Sequence, residues 1–116
     1  MLIITRVLKR YMMKPVGRPK KARHVKKRPQ IVVFSPRGKP GRPDEVSLKY
    51  EELEALRLAD FGGLKQKEAA RHMKISRQSF GRVLQRARKI VADGLINGKI
   101  IRISGGSYKL SQGTKE

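Results

Sequence analysis

Arginine, lysine and glutamine side chains recur at helical spacing in residues 66–89, which read QKEAARHMKISRQSFGRVLQRARK. An arginine can donate two hydrogen bonds to O6 and N7 of guanine, and a glutamine can bond N6 and N7 of adenine in the same bidentate way. Lysines and further arginines bind phosphate oxygens, which adds affinity without sequence information. The residue types in this segment therefore indicate contact with a nucleic acid.

We divide the candidate residues between bases and phosphates by their place in this segment. Side chains at the start of a helix that enters the major groove reach the base edges, and those farther along it lie nearer the phosphates. Gly81 would leave room for a base or a sugar to approach. The predicted base-reading residues are Arg77, Gln78, Gly81 and Arg82. The predicted phosphate-binding residues are Lys65, Lys67, Ser76, Gln85, Arg86, Arg88 and Lys89.

A helix that begins at Arg77 would separate these polar side chains from the apolar ones. At about 100° per residue, with Arg77 at zero, the basic and amide side chains fall between about 0° and 180° and the apolar ones between about 220° and 340°. The apolar set is Phe80, Val83, Leu84, Ala87, Ile90 and Val91. A solvated helix face usually mixes acids with bases, but no acid lies between Glu68 and Asp93. This pattern favours a face that binds a polyanion.

Two shorter helices would support this one. Leucine spacing, two acids in the first turn and the pair Gly62-Gly63 predict a first helix over residues 48–60. A second covers residues 66–73, and a third runs from Arg77 to about Asp93, with Ser76 as its N-cap and Gly94 as its end. Its recognition part is about residues 76–93.

The second and third helices have the features of a helix-turn-helix. Ala70 is small where the two helices cross, and Lys74-Ile75-Ser76 forms a tight turn. The turn needs a left-handed residue, and Lys74 stands where glycine is commoner. Phe80 and Val83, with the turn residue Ile75, would lock the helices together. The fold class is therefore mainly α, with a helix-turn-helix domain over residues 44–98.

Charge divides the chain into an arm and a globular part. The net charge is +20, and residues 1–43 contain 14 of the basic residues and no acid. Such a segment cannot bury enough apolar surface to offset its ordering entropy. We therefore predict a flexible basic arm over residues 1–43 and a disordered tail over residues 111–116. Translation that starts at Met12 or Met13 would shorten the arm.

The C-terminal residues 99–110 are predicted to form a β-hairpin with Gly105-Gly106 as its turn. Ile103 would face Tyr108, and Ile101 would face Leu110. An isolated two-stranded hairpin is marginal in water, so it would pack on the helices or on a second copy of the chain. A homodimer through this hairpin is therefore possible.

The pieces "EALRL", "EAA", "ISRQ" and "IRISGG" resemble an uncharacterised prokaryotic UPF family of predicted DNA-binding proteins over about residues 50–110. That family is similar to the region of sigma factors (region 4) that reads the −35 promoter element. The resemblance implies a tri-helical, sigma-like helix-turn-helix and double-stranded DNA as the partner. It supplies no target sequence.

The arm also resembles an AT-hook, in which a Gly-Arg-Pro core lies in the narrow minor groove of A·T-rich DNA. That resemblance implies Arg18 as the inserted side chain, with Lys20, Lys21 and Arg23 as its phosphate-binding flanks. A second core at residues 41–43 is followed by Asp44 and Glu45, which oppose such binding.

Other functions remain as alternatives. The chain could be a nonspecific nucleic-acid-binding protein, compacting DNA or binding RNA, whose arm dominates. It could also bind RNA polymerase through Glu51, Glu52 and Glu54, which we otherwise interpret as a solvated helix face. With no cysteine, metal-ligand cluster, phosphate loop or nucleophile-base pair, we expect neither an enzyme nor a cofactor nor a metal site. We expect a cytoplasmic, nucleoid-associated protein without a membrane segment.

Overall fold

The computed structural model describes residues 21–38 and 40–110. In chain order the elements are β1 (Arg23–Val25), β2 (Val33–Phe34), β3 (Glu45–Leu48), α1 (Tyr50–Ala55), a π-helical continuation of α1 (Leu56–Phe61), α2 (Gln66–His72), α3 (Arg77–Asn97), β4 (Ile100–Ile103) and β5 (Tyr108–Leu110). The domain is thus rich in α-helix and carries short strands, which confirms the coarse prediction. No helix in the described ranges is long and apolar enough to cross a membrane.

The first helix begins after β3, because residues up to Leu48 are held in a strand. Lys49 is its N-cap, and the Lys49 N–H donates to the Glu52 carboxylate at 2.8 Å. A carboxylate in the first turn satisfies an otherwise unpaired amide and complements the helix dipole. The helical run ends before Gly62, as the glycine pair predicts.

The turn between α2 and α3 follows the prediction closely. The Ser76 hydroxyl accepts from the Ser79 N–H at 3.0 Å, so Ser76 is the N-cap of α3. Lys74 has a φ of 53°, and in the described part of the chain every other residue with a positive φ is a glycine. The Ile75 N–H donates to the Ala70 carbonyl at 3.1 Å, and this hydrogen bond satisfies a carbonyl at the C-terminal end of α2.

The predicted end of α3 at Gly94 is wrong, since the helix continues to Asn97. Gly98, with φ 61° and ψ 47°, is its left-handed C-cap. Gly94 has a packing role instead: a Cβ added there would lie 2.6 Å from Ile101 Cγ1. The missing side chain lets β4 cross closely over α3.

The predicted C-terminal hairpin is also wrong. β4 lies between β2, to which it is antiparallel, and β3, to which it is parallel, while β5 pairs in parallel with β1. β4 thereby finds hydrogen-bond partners along both edges, which a lone hairpin would not provide. Gly105 and Gly106 turn the chain towards α1, where the Tyr50 N–H donates to the Gly105 carbonyl at 3.2 Å. A dimer contact through a hairpin therefore has no basis here.

The described part of the basic arm is ordered where it meets the helices, so the prediction of a flexible arm fails there. Val25 is only 2% exposed, and the His24 N–H donates to the Met73 carbonyl at 3.0 Å. The Lys26 N–H donates to Glu54 at 3.2 Å. The helices thus supply the apolar contacts and hydrogen bonds that the arm's own composition cannot provide.

Two hydrophobic clusters hold α3 in place. The first lies among the three helices and consists of Ala55, Leu58, Ala69, Ala70, Met73, Phe80, Val83 and Leu84. The second lies beneath the three-stranded sheet and consists of Leu48, Ala87, Ile101 and Ile103. Phe80, Val83, Leu84 and Ala87 are all buried, as their angular positions predict. The polar face of α3 consequently points outwards.

Candidate nucleic-acid interface

The outward side of α3 is a polar strip that the rest of the protein leaves uncovered. Gln78, Arg82, Gln85 and Lys89 are all exposed. Their angular positions, about 80° to 140° on the helix, place them along the middle of the polar face. We call these four residues the central strip. Within the described residues, the first three side chains form no hydrogen bond or ion pair.

Arg88 lies at one side of the central strip and is held there by the end of the first helical run. Its guanidinium donates to both oxygens of Asp60, from Nε at 3.0 Å and from Nη2 at 2.7 Å. The hydrogen bond from Arg88 keeps the pKa of Asp60 below its usual value and raises that of Arg88. Arg88 was predicted to bind phosphate, so this contact competes with that role.

Arg86 lies at the opposite side and is paired with Glu52, whose carboxylate is 3.1 Å from Arg86 Nε. The Arg86 side chain is still 64% exposed, whereas that of Glu52 is 3% exposed. The pair therefore fixes the root of the guanidinium and leaves its outer part open to a further partner.

Gly81 and Arg77 lie on the side of α3 that meets the start of α2. A Cβ added at Gly81 would lie 3.5 Å from Gln66 Oε1, which is an ordinary contact distance. The protein itself therefore does not require glycine at this position. Arg77 is exposed, as are Lys65 and Lys67 at the start of α2. Because Lys65 and Lys67 flank Gln66 in sequence, the start of α2 brings their charges to this side of the central strip.

Ser76 serves the helix itself. Its hydroxyl accepts from the Ser79 N–H and also donates to Ser79 Oγ at 3.1 Å. Because this hydroxyl is engaged within the first turn of α3, the geometry does not favour the predicted phosphate contact.

The arm residues predicted to enter a minor groove have different positions. Arg18 and Lys20 lie outside the described residues. Lys21 is exposed, but Arg23 belongs to β1, and its Nε and Nη1 atoms are buried. A strand residue with a largely enclosed guanidinium cannot act as a flexible flank, so the prediction for Arg23 is wrong.

The interpretation of the glutamates of α1 as a solvated face is wrong as well. Glu51, Glu52 and Glu54 are 3%, 2% and 6% exposed. Each accepts from a backbone N–H, of Ser107, Lys49 and Lys26 respectively. Glu54 also binds Arg57 through two hydrogen bonds, at 2.8 and 2.9 Å. These acids tie β1 and the loop before β5 to the helices. In the sequence, three glutamates within four positions, in a chain whose basic arm contains no acid, are the pattern that could have indicated this structural role.

The family model described as "Protein of unknown function DUF134" matches residues 12–111. The chain belongs to this family. Its relatives include a UPF0251 protein of Desulfosudis oleivorans, 56% identical over 92 residues, or 78% of this chain and 67% of the relative. Another, from Caldicellulosiruptor bescii, is 55% identical over 91 residues, or 78% of this chain and 64% of the relative. A third, from Thermoanaerobacter pseudethanolicus, is 50% identical over 94 residues, or 80% of each chain.

The resemblance to an uncharacterised UPF family is thereby confirmed. The chain spans about two-thirds of the length of the first two of these relatives. No solved structure matches it.

In this member of the DUF134 family, the interface can donate hydrogen bonds from a rigid helix. The 21 residues of α3 extend for about 30 Å at 1.5 Å per residue. The central strip offers two amides, a guanidinium and an ammonium, with further cations on either side. This arrangement can bind a long, negatively charged surface that also presents hydrogen-bond acceptors.

Proposed function

We propose that the protein is a sequence-specific, double-stranded DNA-binding protein that acts as a transcriptional regulator in the cytoplasm, at the nucleoid. The observation that carries the proposal is the central strip, whose amides and guanidinium have no partner among the described residues, whereas Phe80, Val83, Leu84 and Ala87 on the opposite face of α3 are buried. Polar side chains held on a rigid, outward-facing helix suit the reading of base edges.

In this proposal α2 and α3 form a helix-turn-helix, and α3 lies in the major groove. The groove is about 12 Å wide and admits a helix with its side chains. Ala69 and Ala70 are buried where α2 meets α3, the Lys74 backbone is left-handed, and Ser76 caps α3. These features support the motif, and in the proposal the N-terminal turn of α3 lies towards the floor of the groove.

Phosphate contacts would come from both sides of α3. Arg77, Lys65 and Lys67 lie on one side, and Arg86 lies on the other. Lys89 and Gln85 extend the central strip towards the C-terminal half of the helix. Such contacts supply affinity and set the orientation, while Gln78 and Arg82 supply the preference for sequence.

Selection of bound duplexes from a random pool, at about 150 mM salt, tests the proposal. The wild-type protein should enrich a defined sequence, and Arg82→Ala should lose about 1–3 kcal/mol on that sequence and relax the preference at one base pair. Arg42→Ala, an exposed arginine outside α2 and α3, is the matched control and should keep the preference. The proposal is contradicted if the pool shows no enriched sequence. It is also contradicted if Arg82→Ala loses as much affinity for the scrambled duplex as for the selected one, and no more than Arg42→Ala does.

Nonspecific binding of nucleic acid is the second candidate, and the net charge of +20 favours it. That mode depends on phosphates and therefore predicts a steep salt dependence with no preference among selected duplex, scrambled duplex and structured RNA. The same duplexes in a competition assay separate the two candidates. Docking of RNA polymerase on the glutamates of α1 has little support, because those carboxylates are buried and engaged.

A further inference from the structure

A cleft of about 1120 Å³ lies between β1, the start of α1 and the first turns of α3. Lys21 and Arg23 line it from the strand side. Arg82 and Arg86 line it from α3, and Lys49 closes it near α1. The cleft thus borders the central strip on the side of α3 opposite to Lys65 and Lys67.

Buried polar atoms without a hydrogen-bond partner belong to the lining of this cleft. Arg23 Nε and Nη1 are both enclosed, and neither has a hydrogen-bond partner among the described residues. A guanidinium nitrogen without a partner is costly when it is shielded from water, and charged groups are costlier than neutral ones. Nε and Nη1 point to different edges of the guanidinium, so each can donate a charge-assisted hydrogen bond to its own acceptor oxygen.

The charges around the cleft favour an anion. Five basic side chains line it, against the two carboxylates of Glu51 and Glu52. Glu52 is already engaged by the Lys49 N–H and by Arg86, at 2.8 and 3.1 Å. Glu51 accepts from the Ser107 N–H at 3.1 Å through Oε2, and its buried Oε1 disfavours an anion close to it. The side-chain cations of Arg23, Lys21, Lys49 and Arg82 have no acid partner among the described residues.

We propose that this cleft binds a phosphate group through Arg23, with Lys21 and Arg86 as its further cations. A phosphate oxygen can accept a hydrogen bond from the unpartnered guanidinium of Arg23, and the charge of the phosphate balances the excess positive charge. The phosphate belongs either to the backbone of bound DNA or to free phosphate, and the chemistry of recognition is the same for both. The first source rests on the proposed function; the second does not.

Under the first source, the cleft and the start of α2 hold the two phosphate backbones that flank a major groove. Lys65 and Lys67 lie on one side of α3, and the cleft lies on the other. Arg23 then contacts a phosphate beside the major groove and does not serve as the flank of a minor-groove arm, because it is fixed on a strand and part of its guanidinium is buried.

Two measurements on the full chain test the site. In the first, the affinity for the selected duplex is measured over a range of salt concentrations for the wild type, Arg23→Gln and Lys21→Gln. Loss of one backbone phosphate should weaken binding by about tenfold at low salt and reduce the slope of log K against log salt by about 0.9. In the second, Tm is measured with inorganic phosphate against chloride at equal ionic strength. Free phosphate should raise the Tm of the wild type and leave that of both variants unchanged.

Arg42→Gln removes the same charge from an exposed position outside the cleft and is the control. The phosphate site is supported, and its source identified, if the cleft variants lose duplex affinity and salt slope, or lose the rise in Tm with phosphate, while Arg42→Gln behaves like the wild type. If all three variants match the wild type in duplex binding and phosphate does not raise Tm, the inference is overturned. If Arg23→Gln fails to fold, Lys21→Gln, whose side chain is exposed, decides the outcome alone.

The failure of this inference and that of the proposed function are separate. A selected duplex sequence together with unaffected cleft variants removes the phosphate site and leaves α3 as the DNA-reading helix. A rise in Tm with phosphate, in a protein that selects no sequence, keeps the site and removes the proposed function.

Discussion

At the scale of single residues, partners decide which polar groups are available for binding. Arg86 and Arg88 have the same chemistry as Arg82, but Glu52 and Asp60 already hold them. Arg82 and Gln78 have no such contact among the described residues, so they can exchange only water for a new partner. Hydrogen bonds to bases are therefore least costly to form from the central strip.

At Gly81, a substitution should change the stability of the protein and its affinity for DNA in opposite directions. The nearest atom to an added Cβ is 3.5 Å away, and Gly81 lies inside α3. Gly81→Ala should therefore raise the free energy of unfolding by about 0.5–1 kcal/mol, because glycine loses more backbone entropy in a helix than alanine does. Its affinity for the selected duplex should fall by about tenfold if a base or sugar approaches there, or ~1.4 kcal/mol. Urea unfolding and fluorescence anisotropy measure the two effects.

Gly94→Ala is the matched control, since it makes the same change in the same helix. There the added Cβ would lie 2.6 and 2.7 Å from two atoms of Ile101. Overpacking of this kind should lower the free energy of unfolding by about 1–3 kcal/mol. A loss of stability for Gly81→Ala, or unchanged DNA affinity, would show that Gly81 has a different role.

At the scale of elements, the first helical run controls the sides of α3. Glu52 near its start holds Arg86, and Asp60 near its end holds Arg88. The pKa of Asp60 is lowered by its hydrogen bond with Arg88, so the pair is intact at neutral pH. Its contribution to stability is present above the ordinary pKa of aspartate and is lost as the pH falls through the lowered value.

Asp60→Asn should release Arg88 for a phosphate. We expect stronger DNA binding at low salt and a slope of log K against log salt that is steeper by about 0.9, which corresponds to one additional phosphate contact. Glu45→Gln changes the net charge equally but breaks a pair with Arg102 on the sheet, away from α3, and is the control. The measurement is a salt titration of duplex binding for both variants. Identical slopes in the two variants would mean that Arg88 takes no part.

At the scale of the whole molecule, local patterns determined what the sequence could predict. The bounds of α2, the Ser76 cap and the left-handed Lys74 follow from residues within one or two helical turns, so spacing alone predicts them. The strand pairing does not follow in this way. Arg23 pairs with Tyr108, and Val33 pairs with Arg102, in strands of two to four residues that show no clear alternation. Such pairing depends on contacts far apart in sequence, which composition does not reveal.

The candidate site likewise has one part that local residues determine and one part that depends on contacts far apart in sequence. The polar face of α3 was predictable because its periodicity lies within one helix. The cleft beside it was not, because it joins Arg23 of β1 to Arg82 and Arg86 of α3. The buried glutamates of α1 also depended on distant amides, those of Lys26 and Ser107. A charged residue is buried only where such partners compensate it, and these partners lie in other elements.

The most direct test of the account is methylation interference on the selected duplex. Dimethyl sulfate methylates guanine N7 in the major groove and adenine N3 in the minor groove, and the bound and free fractions of lightly methylated duplex are compared. If α3 lies in the major groove, N7 methylation within the site should block binding of the wild type, and Arg82→Ala should lose this sensitivity at one guanine. Interference from adenine N3 alone, or from neither position, would contradict the claim that the central strip reads DNA.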